Sequence, residues 1–362
     1  MPLGMQYALF LGVGLIAAWQ LRGTTELRHA ARHPLLLWPL AFLAWMALSA
    51  AWSSATPGEI LSHLWHYSLP LCMALLAATM RPADARKGLR HFVLISAAAA
   101  LASFWWDPDR LGGNQRIAFS ILLALAAAMG VVEGLRMPQD WRRRVAWLLA
   151  ACLCTMGLVL QDRRTGMLLL PLLLFALVWV RLSGLKRAAM LLLVLASTLA
   201  VWHNSDTVRA RFDQGLHELR HYRSEGEINT SIGMRVRMLE VSVQMLREHP
   251  WFGHGVGSWQ GLWRQRVQER GLLASHSTPH NEYLLVAAQG GAIGLMFFIA
   301  ALLALGQLIW RRGRLAEAAL LVWLAFVFTG LLNAVLRDAK FALPLLMLGA
   351  LAWAASREPE RH

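Results

Sequence analysis

The sequence predicts an all-α polytopic membrane protein, and three observations support this fold class. Of 362 residues, 57% are hydrophobic and only 15% are charged, which lies outside the usual range of soluble domains. Apolar blocks of membrane-spanning length recur along most of the chain. Basic residues are concentrated in the short connections between those blocks. Together these features predict about eleven spanning helices and one long polar segment.

The apolar blocks define the predicted spans, because a bilayer core of about 30 Å requires about 20 apolar residues per helix. Blocks that reach or approach this length lie near residues 3–20, 34–52, 59–80, 91–106, 113–133, 145–160, 166–181, 187–203, 282–309, 316–336 and 340–356. The first block lacks a basic leader and a cleavage site, so it is expected to be a helix and not a removed signal peptide. The three cysteines lie within such blocks and indicate no disulfide framework.

The connections between the blocks differ in charge, which predicts the topology. Basic clusters mark one side, at Arg22 to Arg32, Arg81 to Arg90, Arg136 to Arg144, Arg181 to Arg187, Arg311 to Arg314 and Arg357 to Arg361. The positive-inside rule makes that side cytoplasmic. The long polar segment is then extracytoplasmic. This predicts N-terminal spans in 1–203, an external segment in 204–281 and C-terminal spans in 282–362.

The formal net charge of +14 comes largely from these clusters. Such a distribution indicates contact with anionic membrane lipids. Nucleic-acid binding is not expected, because no nucleic-acid-binding motif accompanies the charge.

Three arginines depart from the low basic content expected on the outer side. Arg163 and Arg164 interrupt an apolar run, and Arg116 lies at the start of another. Ionisable residues are costly there, so they are candidates for a functional site. The alternative is that their side chains extend to lipid headgroups.

The external segment is expected to contain a helix that begins with Ser231 as its cap and ends near Glu248, before Pro250. A helical wheel places Arg237 on a polar face and Arg235 on the opposite face. The neighbours of Arg235 on the wheel are apolar, namely Met234, Met238, Leu239, Met245 and Leu246. An arginine among apolar residues requires an anion, either a ligand or a structural carboxylate, because guanidinium does not lose its proton.

The next span is preceded by HSTPHNEYLL, in which Thr278 suits the cap and Pro279 the first helical position. His280 and Asn281 are then expected in the first turn, where the helix dipole favours a neutral imidazole that can accept a proton. A capping or headgroup-contacting histidine is the alternative. Glu282 is a rival base, but it lies about 200° around the helix from His280. The other outer-side histidines are expected to be mostly solvated.

Two further motifs are weaker signals. Asp107 and Asp109 form a D-x-D pair on the predicted outer side, a pattern that can bind a divalent ion. No further ligands follow from spacing, so no metal site is predicted. The sequence GHGVG at 253–257 is interpreted as a tight turn, with a phosphate-binding loop as the alternative.

Three motifs resemble those of the bacterial O-antigen ligase and polymerase superfamily, and they are most similar to its ligase branch. These are RRTG, SIGMRVRMLEVSVQMLREHPWFGHGVGSW and PHNEYLLVAAQGGAIGL, which lie within about 160–300, with GGNQRIAFS as a weaker match. The resemblance implies about twelve spans and a membrane glycosyltransferase fold of the C type.

The resemblance also implies an activity on the periplasmic face of the bacterial inner membrane. A ligase of this kind transfers a glycan from undecaprenyl diphosphate to a sugar hydroxyl of lipid A-core oligosaccharide, with inversion and without metal, nucleotide or other cofactor. It implies that Arg164 and Arg235 bind the diphosphate and that His280 acts on the acceptor hydroxyl. Arg163 and Arg116 are further diphosphate-binding candidates. Asn281 and Glu282 are secondary candidates for the site beside His280.

Two other functions remain open at the level of sequence. An O-antigen or capsular polysaccharide polymerase would use the same type of donor and leaving group. A transporter is less well supported, because transporters place ionisable residues near mid-membrane on repeated elements, whereas the conspicuous charges here collect near one face.

Overall fold

The computed structural model describes residues 12, 34–105, 113–204, 206–226, 230–268 and 276–357. The regular elements in this part of the chain are helical. They are α1 (Pro34–Leu48), α2 (Pro57–Thr79), α3 (Pro82–Ala102), α4 (Gly113–Leu135), α5 (Trp141–Leu160), α6 (Arg164–Arg181), α7 (Gly184–Asn204), α8 (Asp206–Glu225), α9 (Ser231–Glu248), α10 (Trp259–Gln268), α11 (Glu282–Arg312), α12 (Glu317–Leu332) and α13 (Ala339–Ala355), with 3-10 turns at Ser49–Trp52 and Gly313–Ala316.

Six stretches of the described chain are long and apolar enough to cross a membrane. They are Pro57–Thr79, Gln115–Leu135, Trp141–Leu160, Arg164–Arg181, Gly184–Asn204 and Glu282–Leu332, the last of which contains two helices. Shorter apolar helices lie at Leu36–Trp52 and Ala339–Ala355. The prediction of an all-α multi-pass membrane protein is therefore confirmed. The first predicted span, at 3–20, lies outside the described residues except for Gly12.

The chain divides into two compact units. The first unit comprises the residues up to Thr79, Gln214–Gln307 and Thr329–Leu346. The second unit comprises Met80–Asp213, Leu308–Phe328 and the residues from Met347 onwards. Both units are discontinuous in sequence, and their boundaries differ from those of the predicted topological segments 1–203, 204–281 and 282–362. Those segments stay a prediction.

The core of the first unit attaches α9 and α10 to α11. The indole rings of Trp259 and Trp263 on α10 stack with their centroids 5.4 Å apart, and Trp259 Nε1 donates to Ser242 Oγ of α9 at 2.9 Å. These side chains share one buried cluster with residues of α9 and α11, including Met238, Val241, Met245, Leu285 and Ala288. Burial of this apolar surface fixes α9 beside the start of α11.

Helix α11 is broken at Gly291, where the sequence predicts a continuous span. Gly291 has φ 64° and ψ −166°, a conformation that essentially only glycine adopts. The N–H of the next residue, Ala292, donates to the carbonyl of Pro250 at 2.8 Å. A Cβ on Gly291 would lie 2.2 Å from the carbonyl oxygen of Trp251. The turn after α9 therefore occupies the break.

The second unit is built around α4, which packs against α5 and α6. Small residues allow close approach: a Cβ on Gly166 of α6 would lie 2.7 Å from the Ser120 carbonyl oxygen of α4. Close contacts at small residues are typical of helix packing in membranes. In the same unit, the buried Glu133 carboxylate pairs with Arg90 at 2.7 Å and with Arg136 at 3.2 Å. These arginines belong to the clusters predicted to face the cytoplasm, so structural ion pairs use part of that charge.

Candidate active site

Helix α9 carries Arg235 and has the predicted bounds, Ser231–Glu248. Its cap is Thr230 and not Ser231, because Thr230 Oγ1 accepts the N–H of Gly233 at 3.0 Å. The buried stripe of α9 runs through Met238, Val241 and Met245, with Met234 packed against it. This stripe faces α10 and α11, which sets the direction of every other α9 side chain.

The predicted helical wheel is wrong in detail. Arg237 is 9% exposed, and its Nη1 lies 3.2 Å from Glu240 Oε2. The Tyr222 hydroxyl donates to the same carboxylate oxygen at 2.6 Å. Leu239, placed by the wheel beside Arg235 on an apolar face, is 48% exposed. Arg237 is therefore a structural ion-pair residue, and Arg235 flanks the buried stripe on the other side.

His280 lies before the helix that it was expected to open. It has φ 52°, a left-handed conformation that non-glycine residues seldom adopt. Helix α11 begins at Glu282, and Asn281 is its cap, since Asn281 Oδ1 accepts the N–H of Leu284 at 2.9 Å. The expectation that Thr278 caps the helix is wrong. The left-handed residue turns the chain just before the helix, and His280 therefore does not lie in its first turn.

The surroundings of His280 keep its imidazole neutral. Burial, followed by the charge of Arg235 and by His276, lowers the pKa of His280 to about 4. The His276 ring lies 5.6 Å from the His280 ring between centroids. Arg235 and His280, predicted from separate motifs, are therefore close enough to interact electrostatically.

Two histidines expected to be solvated are partly buried instead. His276 lies beside His280, and burial lowers the pKa of His276. His254 Nε2 lies 3.1 Å from the carbonyl oxygen of Met245, and burial, followed by His249, lowers the pKa of His254. Packing against α9 accounts for the position of His254.

The two secondary candidates beside His280 have structural contacts. Glu282 is fully buried, and its Oε2 accepts the N–H of Leu336 at 2.9 Å. Asn281 Nδ2 donates to the carbonyl of Leu331 at 2.9 Å. Asn281 thus attaches the end of α12, and Glu282 the connection between α12 and α13, to the start of α11. These contacts favour His280 over Glu282 as a base.

The other three predicted arginines belong to the second unit. Arg164 is the first residue of α6, and Arg163 precedes it as the cap residue. Arg116 Nη2 donates to the carbonyl of Gln161, at the end of α5, at 3.0 Å. The close contact between Gly166 and Ser120 joins α6 to α4 one turn beyond these residues. The second unit thus gathers Arg116, Arg163 and Arg164 around the corner between α5 and α6.

The sequence interpretation missed one polar cluster of the first unit. Arg337 Nε lies 3.2 Å from His63 Nε2, and Arg337 Nη1 lies 3.3 Å from His66 Nδ1. The signal that could have revealed it is the pair of histidines three residues apart in an apolar span, together with an arginine on the predicted outer side.

The metal alternative acquires no support. Among the described residues, no group of three or more histidine, cysteine, aspartate or glutamate side chains is arranged to hold a metal ion. Asp107 and Asp109 lie outside the described residues.

The fold and these side chains define a class: a multi-pass helical membrane protein in which an arginine accompanies a neutral histidine beside the start of an apolar helix. The sequence profile of a family described as O-antigen ligase matches residues 148–299. An O-antigen ligase of Pseudomonas aeruginosa is 30% identical over 313 residues, which cover 83% of this chain and 71% of that protein. The chain therefore belongs to the O-antigen ligase family.

Proposed function

We propose that this protein transfers a glycan from undecaprenyl diphosphate to a sugar hydroxyl of lipid A-core, with inversion and without a metal ion. The site faces the periplasm in a protein of the bacterial inner membrane, and the fold is a C-type membrane glycosyltransferase fold. The observation that carries the proposal is the neutral His280 imidazole beside the Arg235 guanidinium. This pair supplies one group that accepts a proton and one that stabilises an anion.

The proposed reaction assigns a role to each group. The acceptor hydroxyl oxygen attacks the anomeric carbon while a nitrogen of His280 takes the hydroxyl proton. The bond from that carbon to the diphosphate oxygen breaks, and the electron pair leaves with the diphosphate. Arg235 stabilises the developing negative charge, as does Arg164 in the role that the family resemblance implies, and Arg163 and Arg116 are further candidates for this role.

Donor binding also adjusts the base. With a pKa near 4, the free imidazole is neutral but weakly basic, whereas a general base works best with a pKa near the working pH. A diphosphate at Arg235 opposes the field of the guanidinium and raises the pKa of His280. The base therefore strengthens when the donor is bound.

Purified protein in detergent or liposomes tests the proposal with lipid-linked glycan, supplied with and without lipid A-core. A shift of the lipid A-core band to higher mass is the expected result. A ladder of longer lipid-linked glycans that forms without lipid A-core would identify a polymerase instead.

Variants link the activity to the proposed site. His280→Asn, Arg235→Gln and Arg164→Gln are expected to abolish transfer while the protein still accumulates. Arg247→Gln is the matched control, since Arg247 is an exposed arginine on the same helix as Arg235. Full activity of His280→Asn would refute the proposed base.

A further inference from the structure

The connection between α12 and α13 places a guanidinium in a partly buried position beside apolar helices. Arg337 lies in this connection, and its Nε donates to His63 Nε2 of α2 at 3.2 Å. His63 is 2% exposed. Extension of the side chain to lipid headgroups does not account for Arg337, because its Nε is directed at a buried residue.

The hydrogen-bonding capacity of Arg337 is only partly used. Its Nη1 lies 3.3 Å from His66 Nδ1, but that nitrogen also contacts the carbonyl oxygen of Ser62. A neutral imidazole nitrogen either accepts or donates, so it can serve only one of these contacts. Arg337 has five N–H groups. Among these contacts, only the N–H of Nε has an acceptor, His63 Nε2, for which no other group competes.

Two carboxylates near Arg337 each accept a backbone N–H with one oxygen, and the charge of Arg337 also acts on one of them, Glu282. Glu282 Oε2 accepts the N–H of Leu336 at 2.9 Å, and Asp338 Oδ1 accepts the N–H of Lys340 at 3.1 Å. Within the described part of the chain, Arg337 has no carboxylate within ion-pair distance. A partly buried cation beside neutral rings is costly until an anion arrives.

A second layer of buried side chains packs around the histidine that holds Arg337. Gln289 Nε2 lies 3.4 Å from His63 Nδ1, and the Tyr67 hydroxyl donates to Gln289 Oε1 at 3.2 Å. Tyr67 and Gln289 are fully buried. The guanidinium is therefore positioned before any ligand binds, which lowers the entropic cost of binding.

The connection that carries Arg337 is attached to the residues that follow His280. Asn281 binds the Leu331 carbonyl, and Glu282 binds the Leu336 N–H. The first bond joins the end of α12 and the second joins the connection to the start of α11, and His280 directly precedes Asn281. An anion at Arg337 would thus lie at the same end of the first unit as the proposed base.

We propose that Arg337, held by His63, binds a phosphoryl group of one of the two lipid-linked substrates. The inference rests on the proposed function, because it concerns the substrates of that reaction. The planar guanidinium offers paired N–H donors that match phosphate oxygens. The donor diphosphate and a phosphate on the acceptor have this chemistry in common, and kinetics distinguish them.

The test measures initial rates of the purified full-length protein while either donor or acceptor is varied. Arg337→Gln is compared with Arg337→Lys, with His63→Gln and with Lys340→Gln as the charge-matched control. The same rates are also measured with lipid A-core from which phosphatase has removed phosphate groups. Losing a charge-assisted contact is expected to raise one KM by about tenfold or more in Arg337→Gln. Smaller rises are expected in Arg337→Lys and His63→Gln, and none in Lys340→Gln.

The outcomes separate this inference from the proposed function. A higher donor KM supports Arg337 and assigns it the diphosphate. A higher acceptor KM that disappears with the phosphatase-treated acceptor supports it and assigns an acceptor phosphate. Unchanged KM values, or a fall in kcat alone, in an active Arg337→Gln would overturn the inference and leave the function intact. Absence of transfer by the wild-type protein would instead refute the function.

Thermal unfolding of each variant shows whether a change in kinetics comes from lost substrate binding or from lost stability. If Arg337→Gln does not accumulate, Arg337→Lys decides, because it keeps the charge and loses the planar fork. A wild-type KM for both substrates in Arg337→Lys would then contradict the inference.

Discussion

At the scale of single residues, His280 determines how the proposed activity should depend on pH. The reactive imidazole is neutral, so activity is lost as the pH falls through its pKa. Burial, Arg235 and His276 bring that pKa to about 4 in the free protein. The pH profile of kcat/KM reports the pKa of this imidazole in the free protein, whereas the pH profile of kcat reports its pKa in the complex with substrate.

The expected pH profile has two parts. The acid limb of kcat/KM should lie near pH 4, and the limb of kcat should lie higher, because the bound diphosphate raises the pKa of His280. Steady-state rates between about pH 4 and 8 check this. If Arg235→Gln retains some activity, the acid limb of its kcat/KM profile should move to higher pH, because the Arg235 charge that lowers the pKa of His280 is gone. A limb that stays in place would argue against the interaction of Arg235 with His280.

Arg235 and Arg237 are two residues apart but should differ in what they contribute. Arg237→Ala is expected to reduce the free energy of unfolding by about 1 kcal/mol, because it removes the packing of a largely buried side chain and its ion pair with the half-exposed Glu240 carboxylate. Urea or thermal unfolding in detergent measures this loss. Arg235→Ala should abolish transfer with little change in stability. Equal stability losses in the two variants would contradict this separation.

At the scale of secondary structure, the broken helix α11 is joined to the turn that follows α9. The break at Gly291 exposes the Ala292 N–H to the Pro250 carbonyl. The turn after α9 is in turn hydrogen-bonded to α11, through the N–H of Gly255 and the Gln289 carbonyl at 2.8 Å. The break therefore exchanges intrahelical bonds for bonds to the turn, as expected where a neighbouring segment satisfies the freed groups.

Gly291→Ala is expected to prevent accumulation of folded protein. The added Cβ would meet backbone at 2.2 Å, and the residue would keep an unfavourable φ of 64°. Fluorescence-detected size-exclusion chromatography and thermal unfolding measure the effect.

Gly261→Ala on α10 is the matched control for Gly291→Ala. Nothing lies within 4 Å of its added Cβ, so it should raise stability by about 0.5–1 kcal/mol through helix propensity. Similar behaviour of the two variants would mean that the break does not require glycine.

At the scale of the whole molecule, the proposed reaction needs no metal, since arginines supply the positive charge that the leaving diphosphate requires. Adding a chelator to the transfer assay should leave the initial rate unchanged. Inhibition that magnesium reverses would refute this expectation and direct attention to Asp107 and Asp109.

The membrane setting predicts a dependence on the donor's lipid chain. A lipid-linked donor that enters from the bilayer should lose affinity when its prenyl chain is shortened, at about 0.8 kcal/mol per buried CH₂ group. The KM of a soluble short-chain donor should therefore exceed that of the long-chain donor. Equal KM values would speak against lateral entry.

The sequence by itself determined the class of protein and the main chemical groups. Hydrophobic length and the distribution of charge depend on composition along the chain, so the membrane fold and the bounds of α9 followed directly. The motifs containing Arg235 and His280 were equally visible, and the structure brings these two residues close enough to interact.

Only the tertiary structure decided how individual side chains are used. The buried face of α9 depends on its packing against α10 and α11, which no helical wheel contains, and so Arg237 was misplaced. The left-handed turn at His280 moved the helix start to Glu282. Arg337 and His63 meet across elements far apart in sequence, and no local pattern predicts that contact. Local patterns specify elements, whereas long-range packing decides which charges remain for a substrate.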